Sequence, residues 1–68
     1  MVELLKTTDP VRLSFLQAAL DDAGIESLVF DAGAPWPGAI PARLMVGDHD
    51  ADRARRVIAD AEREALEG

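Results

Sequence analysis

The chain contains no cysteine, which excludes disulfide bonds, thiolate nucleophiles and cysteine-ligated zinc. It has a single histidine, so a transition-metal site built on several imidazole groups is excluded too. Seven basic residues stand against thirteen acidic ones, and the resulting net charge of −6 disfavours nucleic acids and anionic membrane surfaces, which attract clustered lysine and arginine. We therefore expect no metal ion, no cofactor, no nucleic acid and no membrane among the partners of this protein.

Long apolar runs are also missing. No stretch approaches the ~20 apolar residues that a membrane-spanning helix needs, and the early acidic residue Glu3 does not fit a signal peptide. A soluble, cytoplasmic protein is the expectation. What is present is a chain of 68 residues, 49% of them apolar, which predicts one folded domain over residues 1–68. A domain of this size buries only about 60% of its unfolded surface, so oligomerisation is a common source of further burial.

Apolar periodicity predicts the order strand, helix, strand, strand, helix. The predicted strands cover residues 2–6, 25–31 and 43–46, the helices residues 10–23 and 51–65, and a loop rich in proline and glycine residues 32–40. Thr8 or Asp9 is expected to cap the first helix ahead of Pro10, and Gly24 to end it in the left-handed conformation. Asp50 is the expected N-cap of the second helix.

These elements predict the fold. A right-handed crossover sets the first two strands parallel with a gap between them, and the third strand fills the gap antiparallel to both. The sheet order is then 1-3-2, and both helices cover the same face. The result is an α+β sandwich of ferredoxin-like type with the element order βαββα.

Two helices shield only one face of such a sheet, so the other face is a candidate binding surface. Strict alternation predicts four residues on this open face: Leu5, Met45, Glu3 and Arg43. Residues 25–31 add either Val29 or Phe30, because both faces of that strand carry apolar side chains. We expect this much apolar surface to be covered by the loop of residues 32–40, by a second copy in a homodimer, or by another protein. The free edge of the first strand is a further place for strand pairing.

Trp36 and Arg43 are the two residues of this region that suggest a binding role. Trp36 lies between two prolines, and we favour a hydrophobic plug over the open face, with a recognition anchor as the alternative. Arg43 has a natural cross-strand partner in Glu3, with a bound anion as the alternative. Two functions follow: protein binding through the open face, or sensing of a small anionic metabolite by Arg43 and the Trp36 loop.

Signatures of catalysis are weak. The segment D-H-D-A-D that begins at Asp48 opens like a calcium loop, but Arg53 and Ala59 occupy the positions where that loop needs glycine and glutamate. Neither serine lies in a G-x-S-x-G turn. The glycines around Gly33 lack the spacing of a phosphate loop. We therefore expect a protein that is not an enzyme.

Three sequence motifs in the same order resemble one bacterial family. They are V-E-L-L-K-T-T-D-P-V at the start, L-x-x-A-G-I-E from Leu20 to Glu26, and P-x-R-L-M-V followed by an acid-led helix rich in alanine and arginine. The chain is similar over essentially its whole length to the family described as "putative prokaryotic signal transducing protein". The resemblance implies a ferredoxin-like fold akin to the PII signalling proteins, and a role in signal transduction. PII proteins bind ATP with long basic loops, whereas this chain has one lysine and no such loop, so nucleotide sensing is not implied.

Overall fold

The structure is a computed structural model and describes residues 1–30 and 40–67. Its elements, in chain order, are β1 (Val2–Thr7), α1 (Pro10–Asp22), β2 (Ser27–Phe30), β3 (Ala42–Val46), the single 3-10 turn Asp48–Asp50, and α2 (Ala51–Glu67). This is the predicted order. The predicted strand over residues 25–31 is shorter in the structure, and its last residue lies outside the described part of the chain.

Both ends of α1 follow from local sequence. One side-chain oxygen of Asp9 accepts hydrogen bonds from the backbone N–H groups of Val11 (2.9 Å) and Arg12 (3.3 Å), which would otherwise lack a partner inside the helix. At the other end Gly24 has φ +76°, a conformation that is unfavourable for residues with a Cβ atom. Ile25 N–H then donates to the carbonyl of Leu20 at 2.9 Å, as in a Schellman motif, so the chain turns back into the core.

The start of α2 differs from the prediction. Asp50 ends the 3-10 turn that runs directly into the helix, and its backbone N–H donates to the carbonyl of Gly47 at 3.0 Å. Its carboxylate contacts the side chains of Arg53 (3.3 Å) and His49 (3.5 Å). The predicted capping role of Asp50 is therefore wrong, because the residue is already part of the helical turn rather than the extended residue ahead of it.

The sheet has the predicted order, β1-β3-β2, with β3 antiparallel to both neighbours. One face of β3 lies under both helices, and the buried side chains form a single cluster. Its members are Leu16, Leu20, Ile25, Leu44, Val46, Ala51, Ala54, Ile58 and Ala61. The fold is the predicted α+β sandwich of ferredoxin-like type, with the core between the sheet and a layer of two helices.

An irregularity in β1 overturns one predicted position. Glu3 pairs with Met45 and Leu5 with Leu44, so Leu4 is an extra residue that forms a β-bulge. Opposite residues of an antiparallel pair share a face, and Leu5 therefore lies on the core side with Leu44 rather than on the open face. The physical reason is that Leu4 and Leu5 are both apolar, and the bulge lets both pack against the core.

Candidate functional site

The open face of the sheet consists of two rows of side chains that run across the three strands. One row is Glu3, Met45 and Leu28, and the other is Lys6, Arg43 and Phe30. The residues on β1 are both charged, whereas the residues on β2 are both apolar. The face is therefore divided into a charged half along β1 and an apolar half along β2.

The apolar half is unusually accessible for side chains of this kind. Leu28 is 52% exposed and Phe30 is 60% exposed, although each sits on a strand whose other face is packed against the core. Met45, on the central strand between them and the charged half, is partly buried. Complete burial of a leucine or phenylalanine side chain stabilises by about 1.5–3 kcal/mol. A partner that covered these side chains would gain part of that free energy.

Arg43 lies near the carboxylate that the sequence predicts for it. Its Nε is 3.7 Å from Oε1 of Glu3, which confirms the predicted ion pair, although the distance is too long for a hydrogen bond. The Arg43 side chain remains 58% exposed. On β1, Lys6 lies directly opposite Arg43, and two like charges in that relation are unfavourable. The charged half thus has one carboxylate for two cations.

The sequence predicts four binding residues, Leu5, Trp36, Arg43 and Met45, and the structure brings Met45 and Arg43 together on the open face. Leu5 lies on the opposite face, because of the bulge, and Trp36 lies outside the described residues. Sequence reasoning missed Leu28, which the two-residue period of β2 places on the same face as Phe30. It also missed Lys6, because strict alternation from Glu3 puts Lys6 on the core side and the bulge reverses that assignment.

Two other regions of the surface are concave. A cleft of about 760 Å³ lies where α1 ends and β2 begins, but the charged side chains that line it are Asp21 and Glu26, so it does not suit an anion. A groove of about 500 Å³ is lined by the first half of α1 and the end of α2, including the exposed side chains of Val11 and Leu66. Within residues 1–30 and 40–67, no group of histidine, aspartate and glutamate is arranged to hold a metal ion.

The fold and the open face together define a class of protein: a small α+β domain of ferredoxin-like type with an accessible sheet face. The model of the family described as "putative prokaryotic signal transducing protein" matches residues 1–62, and the chain belongs to this family. The predicted resemblance is thereby confirmed. No curated protein and no solved structure matches the chain. None of the described helices is both long enough and apolar enough to cross a membrane.

Proposed function

We propose that this protein is a non-catalytic, cytoplasmic regulatory domain that acts by binding protein through the open face of its sheet. The observation that carries the proposal is the exposure of Leu28 and Phe30, at 52% and 60%, on the sheet face opposite the helices. Large apolar side chains grouped on one face mark interaction sites more often than scattered ones do. The family description, which speaks of signal transduction, is consistent with a domain whose output is an association.

The charges around the patch support a protein partner over a lipid surface. The open face carries Lys6, Arg43 and Glu3, hence a net charge of +1, while the chain as a whole carries −6. The apolar half and the charged half lie side by side on the open face, and protein interfaces likewise combine buried apolar contacts with polar ones. The charged half supplies orientation, and the apolar half supplies most of the binding free energy.

The test is affinity capture from a lysate of the source organism with the wild-type protein, Met45→Lys and Ala59→Lys. Met45 lies between the two halves of the face, so a lysine there is expected to abolish capture of proteins that bind it. Ala59 is exposed on α2, so the same charge there is the matched control. Far-UV circular dichroism must show that both variants are folded. Equal capture by all three proteins would contradict the proposal.

The alternative is a sensor of small anionic metabolites, and the close approach of two cations favours it. Lys6 and Arg43 oppose each other in the β1–β3 ladder, with Phe30 in the same row as a surface for an aromatic or apolar moiety. An anion between the two cations would relieve their repulsion. The sequence adds Trp36 to this candidate site, and that residue lies outside the described part of the chain.

Replacing Arg43 by glutamine tests this alternative directly. We expect the variant to lose at least about tenfold in affinity for an anionic ligand, which corresponds to ~1.4 kcal/mol. Isothermal titration with a set of nucleotides and carboxylic acids measures the affinity, and Arg55→Gln, an exposed arginine on α2, is the control. Unchanged binding in Arg43→Gln would exclude the site. Under the protein-binding proposal the set gives no binding in either case.

A further inference from the structure

The two outer strands of the sheet differ in how their free edges are protected. Within the described part of the chain, the order β1-β3-β2 leaves one edge of β1 and one edge of β2 without a neighbouring strand. Such an edge presents unpaired N–H and C=O groups, which an extended chain can pair with. Proteins usually block edges with charged side chains and bulges. The edges of β1 and β2 differ in both of these features.

β1 has both charged side chains and a bulge, and β2 has neither. β1 carries Glu3 and Lys6 on the open face and a bulge at Leu4, which twists the strand and disrupts a regular ladder. All four residues of β2, Ser27–Phe30, are uncharged, and its pairing with β3 is continuous. The edge of β2 is therefore the one suited to strand addition, and it adjoins the apolar half of the open face.

From this difference we infer that two copies of the chain associate by antiparallel pairing of their β2 strands, which joins the two sheets into one of six strands. The inference rests on the proposed function, because it makes the binding face a surface shared by two copies. The charges permit self-pairing of β2: Ser27–Phe30 contains no charged residue, and Glu3 of each copy stays at the far side of the sheet, two strands away. The two apolar halves become one continuous patch at the centre.

The side chains determine the register. A twofold axis normal to the sheet keeps both open faces on the same side, so each residue meets a residue of the same face. A register centred on Val29 sets Leu28 of one copy opposite Phe30 of the other, twice. A register centred on Leu28 would instead set the carboxylate of Glu26 opposite Phe30. Among the residues that the structure describes, the first register pairs Leu28, Val29 and Phe30 and sets no charge opposite an apolar side chain, and it is the one we infer.

The strength of the association follows from the size of the contact. β2 has four residues, so few backbone hydrogen bonds are gained, and the dimer is expected to be reversible and dependent on concentration. Each copy carries −6, so the copies repel one another at long range. Salt screens this repulsion, and raising the ionic strength is therefore expected to favour the dimer.

The experiment exploits the absence of cysteine. Leu28→Cys and Phe30→Cys are made separately, because both positions are more than half exposed and tolerate the change, and Val11→Cys is the control on the helical layer. In the inferred register, position 28 of one copy lies opposite position 30 of the other, close enough for a disulfide bond. The two copies of position 28 lie diagonally across the strand pair, too far apart for a disulfide bond, and the same holds for the two copies of position 30. An oxidised mixture of the two variants is expected to contain several-fold more linked dimer than either variant alone or the control.

Light scattering over a hundredfold range of concentration accompanies the cross-linking. The wild type and Met45→Lys are both expected to shift from the mass of one chain toward that of two, because Met45 lies away from the edge. A monomer at all concentrations, or a disulfide pattern no different from that of Val11→Cys, would overturn the inference. Linkage of Leu28→Cys to itself would overturn the register. A dimer lost in Met45→Lys would indicate stacked faces and would also overturn it.

These outcomes separate the inference from the proposed function. If the protein is monomeric but Met45→Lys no longer captures the proteins that bind the wild type, the binding function of the open face is supported and the pairing of β2 strands is contradicted. If the mixed disulfide forms but Met45→Lys captures the same proteins as the wild type, the pairing of β2 strands is supported and the binding function of the open face is contradicted.

Discussion

Replacing Leu44 by alanine is expected to lower the free energy of unfolding by about 2–5 kcal/mol, the range for large-to-small changes in a core. Leu44 is fully buried in the central strand, where it lies opposite Leu5 and Val29 and under the helices. A chain of 68 residues has a total stability of roughly 3–10 kcal/mol at the usual ~0.05–0.15 kcal/mol per residue. The variant is therefore expected to be partly or wholly unfolded. Urea denaturation followed by far-UV circular dichroism measures the change.

Leu28→Ala is the control for this prediction, since the residue type is the same and the position is in the adjacent strand. Leu28 is 52% exposed, so the expected loss is below about 1 kcal/mol, as for most changes at exposed positions. If Leu28→Ala cost as much as Leu44→Ala, the assignment of the two sheet faces would be wrong. The comparison also measures whether the open face contributes to the stability of the isolated protein.

Replacing Ala54 by leucine is expected to destabilise the fold by about 1–3 kcal/mol through overcrowding. Ala54 is fully buried in α2, among Ala51, Ile58 and Ala61 on the helical stripe that faces the core. Small side chains on this stripe let the helix lie close to the sheet. A leucine needs space that only a shift of the helix or strained side chains can provide. Thermal and urea unfolding both measure the effect.

Ala59→Leu is the matched control, because it makes the same substitution at an exposed position of α2. Alanine and leucine are both strong helix formers, so the control is expected to change the stability by no more than about 0.5 kcal/mol. Equal stabilities of the two variants would show that α2 does not approach the sheet closely at Ala54. A loss in both variants would point to a cause other than crowding in the core.

The fold was largely predictable because its signals are local. Asp9 and Pro10 indicate where α1 begins, and Gly24 indicates where it ends, since each residue type suits one backbone geometry. The order of the strands follows from the handedness of the crossover between the first two. None of these inferences needs knowledge of which side chains meet across the core. For that reason the topology was correct while some of the side-chain positions were not.

The candidate site was only partly predictable because it depends on faces. Simple alternation in β3 places Met45 and Arg43 correctly, and it brings Arg43 near Glu3. Alternation misplaces Leu5, because a bulge of one residue reverses every assignment that follows it. The choice between Val29 and Phe30 could not be made from β2 alone, since both faces of the strand are apolar.

The sequence by itself determined the element order, the boundaries of α1, the three-stranded sheet and the family, because backbone preferences and apolar periodicity act over short distances. Only the tertiary structure decided that Leu5 belongs to the core and that Leu28 and Phe30 lie on the open face. The physical reason is competition for burial: the helices cover one face, and register with β3 selects the residues that they cover. The residues left outside by that selection form the surface proposed for binding.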